Sequence, residues 1–493
     1  MRAFAWKILV ALVALALLGL GAFIGMRVHF AQSGDPLQPW HTFVPEEMSV
    51  AELNAADWAG YLSTEQRIFA DVQREVVQKL DTPEERVPFN RYFSGSIVYP
   101  PSLTHDWNRS YELEPAGTPV GAVVLLHGLT DSPYSLRHVA QRYVEAGFVA
   151  VAIRLPGHGT VPAGLTGVEW EEWLAATRLA VREARARIGR DKPLHIVGFS
   201  NGGALALKYA LDALEDPRLA QPDRLVLISP MIGITRFARF AGLAGLPAFL
   251  PAFAKAAWLS VIPEFNPFKY NSFPVNGARQ SYRLTQALQE SIAASARDGR
   301  LARLPPTLTF QSVMDFTVST RAIITAFYNQ LPANGSELVL FDINRNTKLG
   351  PLLRASSQAA LGQMLPPTPR RFRTTVIANA RPDAAEVVER STPAGSSEES
   401  VRPLGLTYPS DVYSLSHVAL PFPPTDSLYG SDPDPAEDFG VQLGAMAVRG
   451  ERGALIVNLD ALVRMSSNPF FSYMIGRIGD GLPAPAPAPT PAP

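Results

Sequence analysis

Residues 194–210 read as a buried strand, a glycine-pinched corner and a helix, and few folds place a serine at such a junction. The apolar run Leu194-His195-Ile196-Val197 leads into Gly198-Phe199-Ser200-Asn201-Gly202, and Ala204-Leu205-Ala206-Leu207-Lys208-Tyr209-Ala210 follows with helical composition. A sharp strand-to-helix corner leaves no room for bulky side chains, which accounts for glycine on both sides of the serine. The Ser200 hydroxyl then projects from the corner, the setting in which the pattern G-x-S-x-G presents a nucleophile.

The same element grammar recurs along the chain. Short, almost wholly apolar runs at Gly121–Leu126, Phe148–Ile153, Leu194–Phe199, 225–228, 307–310 and 338–341 read as strands. Helical stretches such as Trp170–Ile188 lie between the first four. Alternation of this kind, with strands apolar on both faces, predicts an α/β class in which a mostly parallel central sheet is flanked by helices.

A serine hydroxyl needs a base to take its proton and a third group to orient that base. In this strand–corner–helix setting the partners follow in the order serine, acid, histidine. Of the eight histidines, His417 alone follows Ser200, in Val412-Tyr413-Ser414-Leu415-Ser416-His417. It is the expected general base. Asp315, just past the apolar run Leu308-Thr309-Phe310-Gln311-Ser312-Val313, is the expected acid. Asp342, after Leu338-Val339-Leu340-Phe341, looks similar locally, and Asp411 and Asp426 stay open as alternatives.

Negative charge developing on a substrate oxygen also needs donors. The run Ala122-Val123-Val124-Leu125-Leu126-His127-Gly128-Leu129 reads as a strand ending in a His-Gly turn, which points to the Leu129 N–H. The N–H of Asn201, next after the serine, is the second candidate. His127 reads as a shaper of this loop. His158, in Pro156-Gly157-His158-Gly159, reads either as structural or as a substrate contact.

Four stretches together resemble the α/β-hydrolase superfamily, and within it the monoacylglycerol-lipase, lysophospholipase and serine-aminopeptidase-like branch. They are His127-Gly128-Leu129-Thr130-Asp131-Ser132-Pro133, Arg154-Leu155-Pro156-Gly157-His158-Gly159-Thr160, Gly198-Phe199-Ser200-Asn201-Gly202-Gly203, and the pair Asp315 with His417. The likeness covers residues 105–345 and 405–475. It implies an α/β-hydrolase fold and a serine hydrolase that cleaves carboxylic esters through an acyl-enzyme intermediate, with no cofactor. An acyl-lipid, lysophospholipid-like or monoacylglycerol-like substrate fits, and fold analogy leaves ester against amide open. A peptidase acting on short peptides is the enzymatic rival, and a non-catalytic envelope protein binding a lipid or partner is the rival from another class. The chain departs from the pattern by a long excursion, residues 342–416, before the histidine.

The formal net charge is −1, which argues against a nucleic-acid partner. There is no cysteine, so disulfides, thiolate metal sites and a cysteine nucleophile are excluded. No histidine–carboxylate cluster with metal-ligand spacing appears. Residues 8–25 carry no charge and follow Arg2 and Lys7. As a helix they would measure about 27 Å, close to a bilayer's hydrocarbon thickness. They predict a single N-terminal transmembrane anchor with the remaining chain on the extracytoplasmic, periplasm-facing side.

The expected organisation is therefore an anchor over 1–30, a membrane-proximal helical segment over 31–104, and a first core part over 105–230. A cap or lid insertion over 231–303 follows, then a second core part over 304–345 and an insertion with a flexible segment over 346–402. A core part carrying His417 spans 403–482, and a proline–alanine tail spans 483–493. Within 31–104 a helix is expected near 63–80, from the spacing of Ile68, Val72, Val76, Val77 and Leu80. The cap's first half is strongly apolar, with Phe237, Phe240, Leu243, Leu246, Phe249, Leu250 and Phe253. It suits either packing on the core or an acyl-chain wall.

Overall fold

The computed structural model describes residues 2–32, 36–233, 251–446 and 459–483. Among the described residues twelve strands run in chain order: β1 (Tyr111–Leu113), β2 (Gly121–Leu126), β3 (Phe148–Ile153), β4 (Leu194–Phe199), β5 (Arg224–Ile228) and β6 (Trp258–Ser260). They continue as β7 (Phe273–Pro274), β8 (Thr307–Ser312), β9 (Glu337–Phe341), β10 (Arg373–Asn379), β11 (Glu386–Thr392) and β12 (Ser400–Thr407). The longer helices are α1 (Arg2–Gln32), α2 (Trp58–Glu75), α3 (Arg137–Glu145), α4 (Trp170–Ile188), α5 (Asn201–Glu215), α6 (Val275–Arg297) and α7 (Phe471–Gly479).

Ten strands form one sheet in the order β1-β3-β2-β4-β5-β8-β9-β10-β11-β12. Every pairing from β3 to β10 is parallel, and β1, β11 and β12 join antiparallel at the two edges. Alternation along β2 shows how the sheet is held. Ala122, Val124 and Leu126 enter one core cluster with Trp173 of α4, Leu205 of α5 and Leu284 of α6. Val123 and Leu125 enter the other, with Tyr143 of α3 and Met474 of α7. Both faces are thus buried, which is why the central strands read as unbroken apolar runs.

The excursion between β9 and His417 is largely sheet. β10 adds in parallel to β9, and the β10–β11–β12 meander widens the sheet. Within the insertion 346–402, where a flexible segment is expected, the stretch 391–400 contains the end of β11 and the start of β12. Glu386, Glu389 and Arg390 in β11 and Arg402 in β12 interrupt the apolar pattern because these strands lie near an open edge, where one face meets water, whereas Thr374 and Thr375 of β10 are buried. The outermost strand, β12, carries Arg402 and Pro403, residues that discourage a further chain from pairing there.

The helix expected over 63–80 begins earlier, at Trp58, because Asp57 caps it by accepting from the Gly60 N–H at 2.8 Å. It ends at Glu75, and Val76 and Leu80, buried on either side of a short 3₁₀ turn at Val77–Lys79, continue the apolar stripe. Tyr61, Ile68 and Val72 are buried on it.

The N-terminal expectation is not upheld. Residues 8–25 do form part of α1, and α1 lies against the segment Pro251–Ala257. Spanning takes roughly 20 consecutive apolar residues, and among the described residues no helix is long and apolar enough to cross a membrane. The single N-terminal transmembrane anchor, and the membrane contact and extracytoplasmic placement that followed from it, fall with that finding. The apolar residues 237–250 of the expected cap and the tail after Pro483 lie outside the described residues.

Candidate active site

The corner after β4 is built by crowding. Ser200 sits at φ 55° and ψ −112°, a conformation a non-glycine residue adopts only when its surroundings impose it. Its N–H donates to Ile228 O at 2.9 Å, and its carbonyl accepts from Gly203 N at 3.0 Å and Met231 N at 2.9 Å. A Cβ at Gly198 would lie 2.6 Å from Gly203 Cα, and one at Gly203 would lie 2.8 Å from Pro230 Cβ. At Gly202 it would strike the Leu126 carbonyl and lie 2.7 Å from His127 O. Glycine is therefore required because strand β2, strand β4 and helix α5 meet there without side-chain space.

Asp315 follows β8 and His417 follows the excursion, and the fold brings them together. His417 Nδ1 and Asp315 Oδ2 are 2.8 Å apart. The carboxylate is held from three other directions: Thr317 N and Val318 N donate to Oδ1 at 2.8 and 3.0 Å, and Gln311 Nε2 donates to Oδ2 at 3.1 Å. Burial works against its charge, but the facing imidazole and these donors outweigh burial and leave the carboxyl below its usual range. The Phe199 ring lies under the imidazole, centroids 5.3 Å apart. His417 and Ser200 line the same cavity. Among the described residues no hydrogen bond joins the Ser200 hydroxyl to the ring, and such a contact can tighten when substrate binds.

The turn after β2 approaches this corner closely. A Cβ on Gly128 would sit 3.4 Å from Ser200 Cβ. The ring of His127 fixes the turn: Leu155 N–H donates to its Nε2 at 3.0 Å, and its Nδ1 is 2.9 Å from Gly128 O. Burial holds this imidazole well below its ordinary range, so it stays neutral. Among the described residues neither the Leu129 N–H nor the Asn201 N–H donates to a protein acceptor. Both are open backbone donors beside Ser200.

The cavity over these groups has a volume of about 460 Å³. Leu129, Phe199, Met231, Ile262, Phe273, Val418, Phe422 and Met465 give it apolar walls, and Asp131, Lys269 and Arg464 place charges on it. Lys269 and Arg464 were not singled out from the sequence. Each arrives from a segment distant in the chain, and neither lies in a motif. Asp131 does lie in the quoted His127–Pro133 stretch, which was its one signal.

His158 does not line this cavity. It is buried against His127 and Trp173, with Nδ1 3.0 Å from Pro156 O, and burial pushes its pKa down to about 3. Its loop is pinned by Arg154, which is itself fully buried between Glu47 (2.7 and 2.9 Å) and Glu65 (3.1 Å). The alternative acids go elsewhere. Asp342 pairs with Arg345 at 3.2 Å, Asp411 is exposed, and Asp426 is buried against Arg137, His138 and Tyr134 at 2.7, 2.9 and 2.8 Å.

Residues 117–344 match the family model described as serine aminopeptidase, S33. The chain's fold is that of the α/β-hydrolases. A thermostable monoacylglycerol lipase of Bacillus sp. (strain H-257) is 34% identical over 92 residues, which covers 19% of this chain and 35% of that one. An uncharacterized abhydrolase domain-containing protein of Dictyostelium discoideum is 31% identical over 120 residues, 24% of this chain and 12% of that one. The matches thus span about a third and an eighth of these two relatives. Among solved structures, the monoacylglycerol lipase of Paleococcus ferrophilus aligns with 52% of this chain and 98% of its own, at 17% identity and a TM-score of 0.35. A soluble variant of the monoglyceride lipase of Saccharomyces cerevisiae aligns with 47% and 81%, at 17% identity and a TM-score of 0.35.

Proposed function

We propose that the chain is a serine hydrolase cleaving carboxylic esters of acyl-lipid type through an acyl-enzyme intermediate. The observation that carries this reading is the Asp315–His417 hydrogen bond, 2.8 Å long, on the wall of the cavity that also holds Ser200 at its strained corner. Ser200 Oγ attacks the ester carbonyl while His417 takes the hydroxyl proton, and Asp315 keeps the imidazole in the required orientation and stabilises its charge. The oxyanion of the tetrahedral intermediate accepts from the Leu129 and Asn201 N–H groups, each worth roughly 3–4 kcal/mol in the transition state. The proton returns to the departing alcohol. A water then gives its proton to His417 and attacks the acyl-enzyme, which releases the acid and restores Ser200.

Segment 231–303 serves as a cap in this reading, since Ile262, Phe273 and Ala278 belong to the cavity wall. Each acyl methylene buried against such a wall contributes roughly 0.8 kcal/mol. The reading is tested by hydrolysis of p-nitrophenyl esters from acetate to palmitate. The expected result is turnover that falls by roughly 10³-fold or more in Ser200→Ala. Folded wild-type protein that cleaves none of them would overturn it.

A further inference from the structure

Two cations stand on the wall of the Ser200 cavity, and the ester reaction as derived uses neither. Lys269 Nζ donates to Thr130 Oγ1 at 3.0 Å and to Leu129 O at 3.4 Å. Arg464 donates one guanidinium N–H to Thr317 Oγ1 at 2.5 Å. These partners are neutral oxygens. Among the described residues neither cation has a carboxylate within ion-pair distance, whereas the buried Arg137 and Arg154 do. An ammonium has three donors and a guanidinium five, so both groups keep N–H bonds to spare. They also feel each other: burial lowers the Lys269 pKa, the Asp131 charge opposes that, and the Arg464 charge adds to it. Among the described residues Asp131 is the one carboxylate on the cavity wall, and its own burial drives it toward the neutral acid.

We propose that Lys269 and Arg464 form an anion subsite beside Ser200, so that the favoured substrate is an acyl ester carrying a phosphate or carboxylate near its scissile bond rather than a neutral one. The proposal rests on the serine-hydrolase reading and refines it. Lys269 is bonded to the turn that carries the Leu129 donor, and Arg464 is bonded to Thr317, two residues from Asp315. An anionic group in the leaving alcohol would take the spare donors of both, while the acyl chain lies along Phe199, Met231 and Ile262.

The test uses the full chain and two esters of equal acyl length, 1-acylglycerol and 1-acylglycerol 3-phosphate, with kcat/KM measured for each. The wild type is expected to prefer the phosphate ester. In Lys269→Gln and Arg464→Gln the ratio of the two kcat/KM values is expected to fall roughly ten-fold, the usual loss for one charge-assisted hydrogen bond. Lys269→Arg should keep most of the preference. A purely structural role would depress both esters in proportion and leave the ratio unchanged, which would overturn the proposal. Wild-type preference for the neutral ester would overturn it as well. So would competitive inhibition by inorganic phosphate without preference for the phosphate ester, because the site would then serve a free anion. If neither ester is cleaved and Ser200 also fails to react with a fluorophosphonate, the hydrolase reading itself has failed. Turnover of both esters without charge preference refutes the subsite alone.

Discussion

Replacing Gly202 by alanine adds one methyl group and should cost most of the activity. Its Cβ would collide with the Leu126 carbonyl and lie 2.7 Å from His127 O, where ordinary contact begins at 3.4 Å. The His127 carbonyl must then retreat by about 0.7 Å, and the Leu126 carbonyl further. Both are backbone atoms at the end of β2, so no rotamer can absorb the shift. They lead directly into Gly128 and Leu129, so the turn carrying the proposed oxyanion donor moves away from Ser200. A displacement approaching 1 Å at reacting groups costs roughly 100-fold in rate, and overpacking a close-packed site costs roughly 1–3 kcal/mol in stability. The assay is kcat/KM on a short p-nitrophenyl ester together with the urea midpoint, with Gly476→Ala in α7 as control. A Cβ at Gly476 meets nothing within 4 Å, so that variant should gain about 0.5–1 kcal/mol from helix propensity. Gly202→Ala with near wild-type activity and stability would refute the steric account of the corner.

Asp315→Asn should lower kcat by roughly 10²–10⁴-fold on the same ester, and Asp342→Asn, whose carboxylate pairs with Arg345 away from the cavity, should leave it within a few-fold. The reverse outcome would move the acid to Asp342. His41, His158 and His195 are each pushed down to about 3, chiefly by burial, from an ordinary value of 6.5. The unfolded chain therefore binds more protons than the folded one between those values. The stability these neutral rings maintain is complete above pH 6.5 and drains as pH falls toward 3, with up to about 1.4 kcal/mol per pH unit for each group. Urea midpoints measured at pH 7.5 and 5.5 should fall on acidification, and equal midpoints would contradict the burial of neutral rings.

Much of the site was legible because its parts obey local rules. β2, β3, β4 and α4 run over the residues that their apolar patterns indicated. The glycines around Ser200 announced a corner, and chain order narrowed the proposed base to His417. Legibility failed where long-range placement decides. Nothing near Lys269 or Arg464 signals that loops far apart in sequence converge over Ser200. Strands β11 and β12 were missed because Glu389, Arg390 and Arg402 break the apolar pattern, as an edge facing water permits, and β10 because Arg373, Thr374 and Thr375 open it with polar residues. Asp426, left open as an alternative acid, is consumed by Arg137, His138 and Tyr134. A charge-free run near the N-terminus was a poor guide to membrane crossing.

The measurement that bears most directly on the central claim is covalent labelling by a fluorophosphonate, followed by peptide mapping of the folded full chain. The account predicts one modified residue, Ser200, with labelling slowed in His417→Ala. Folded protein that remains unlabelled, or that labels at another serine, would contradict it.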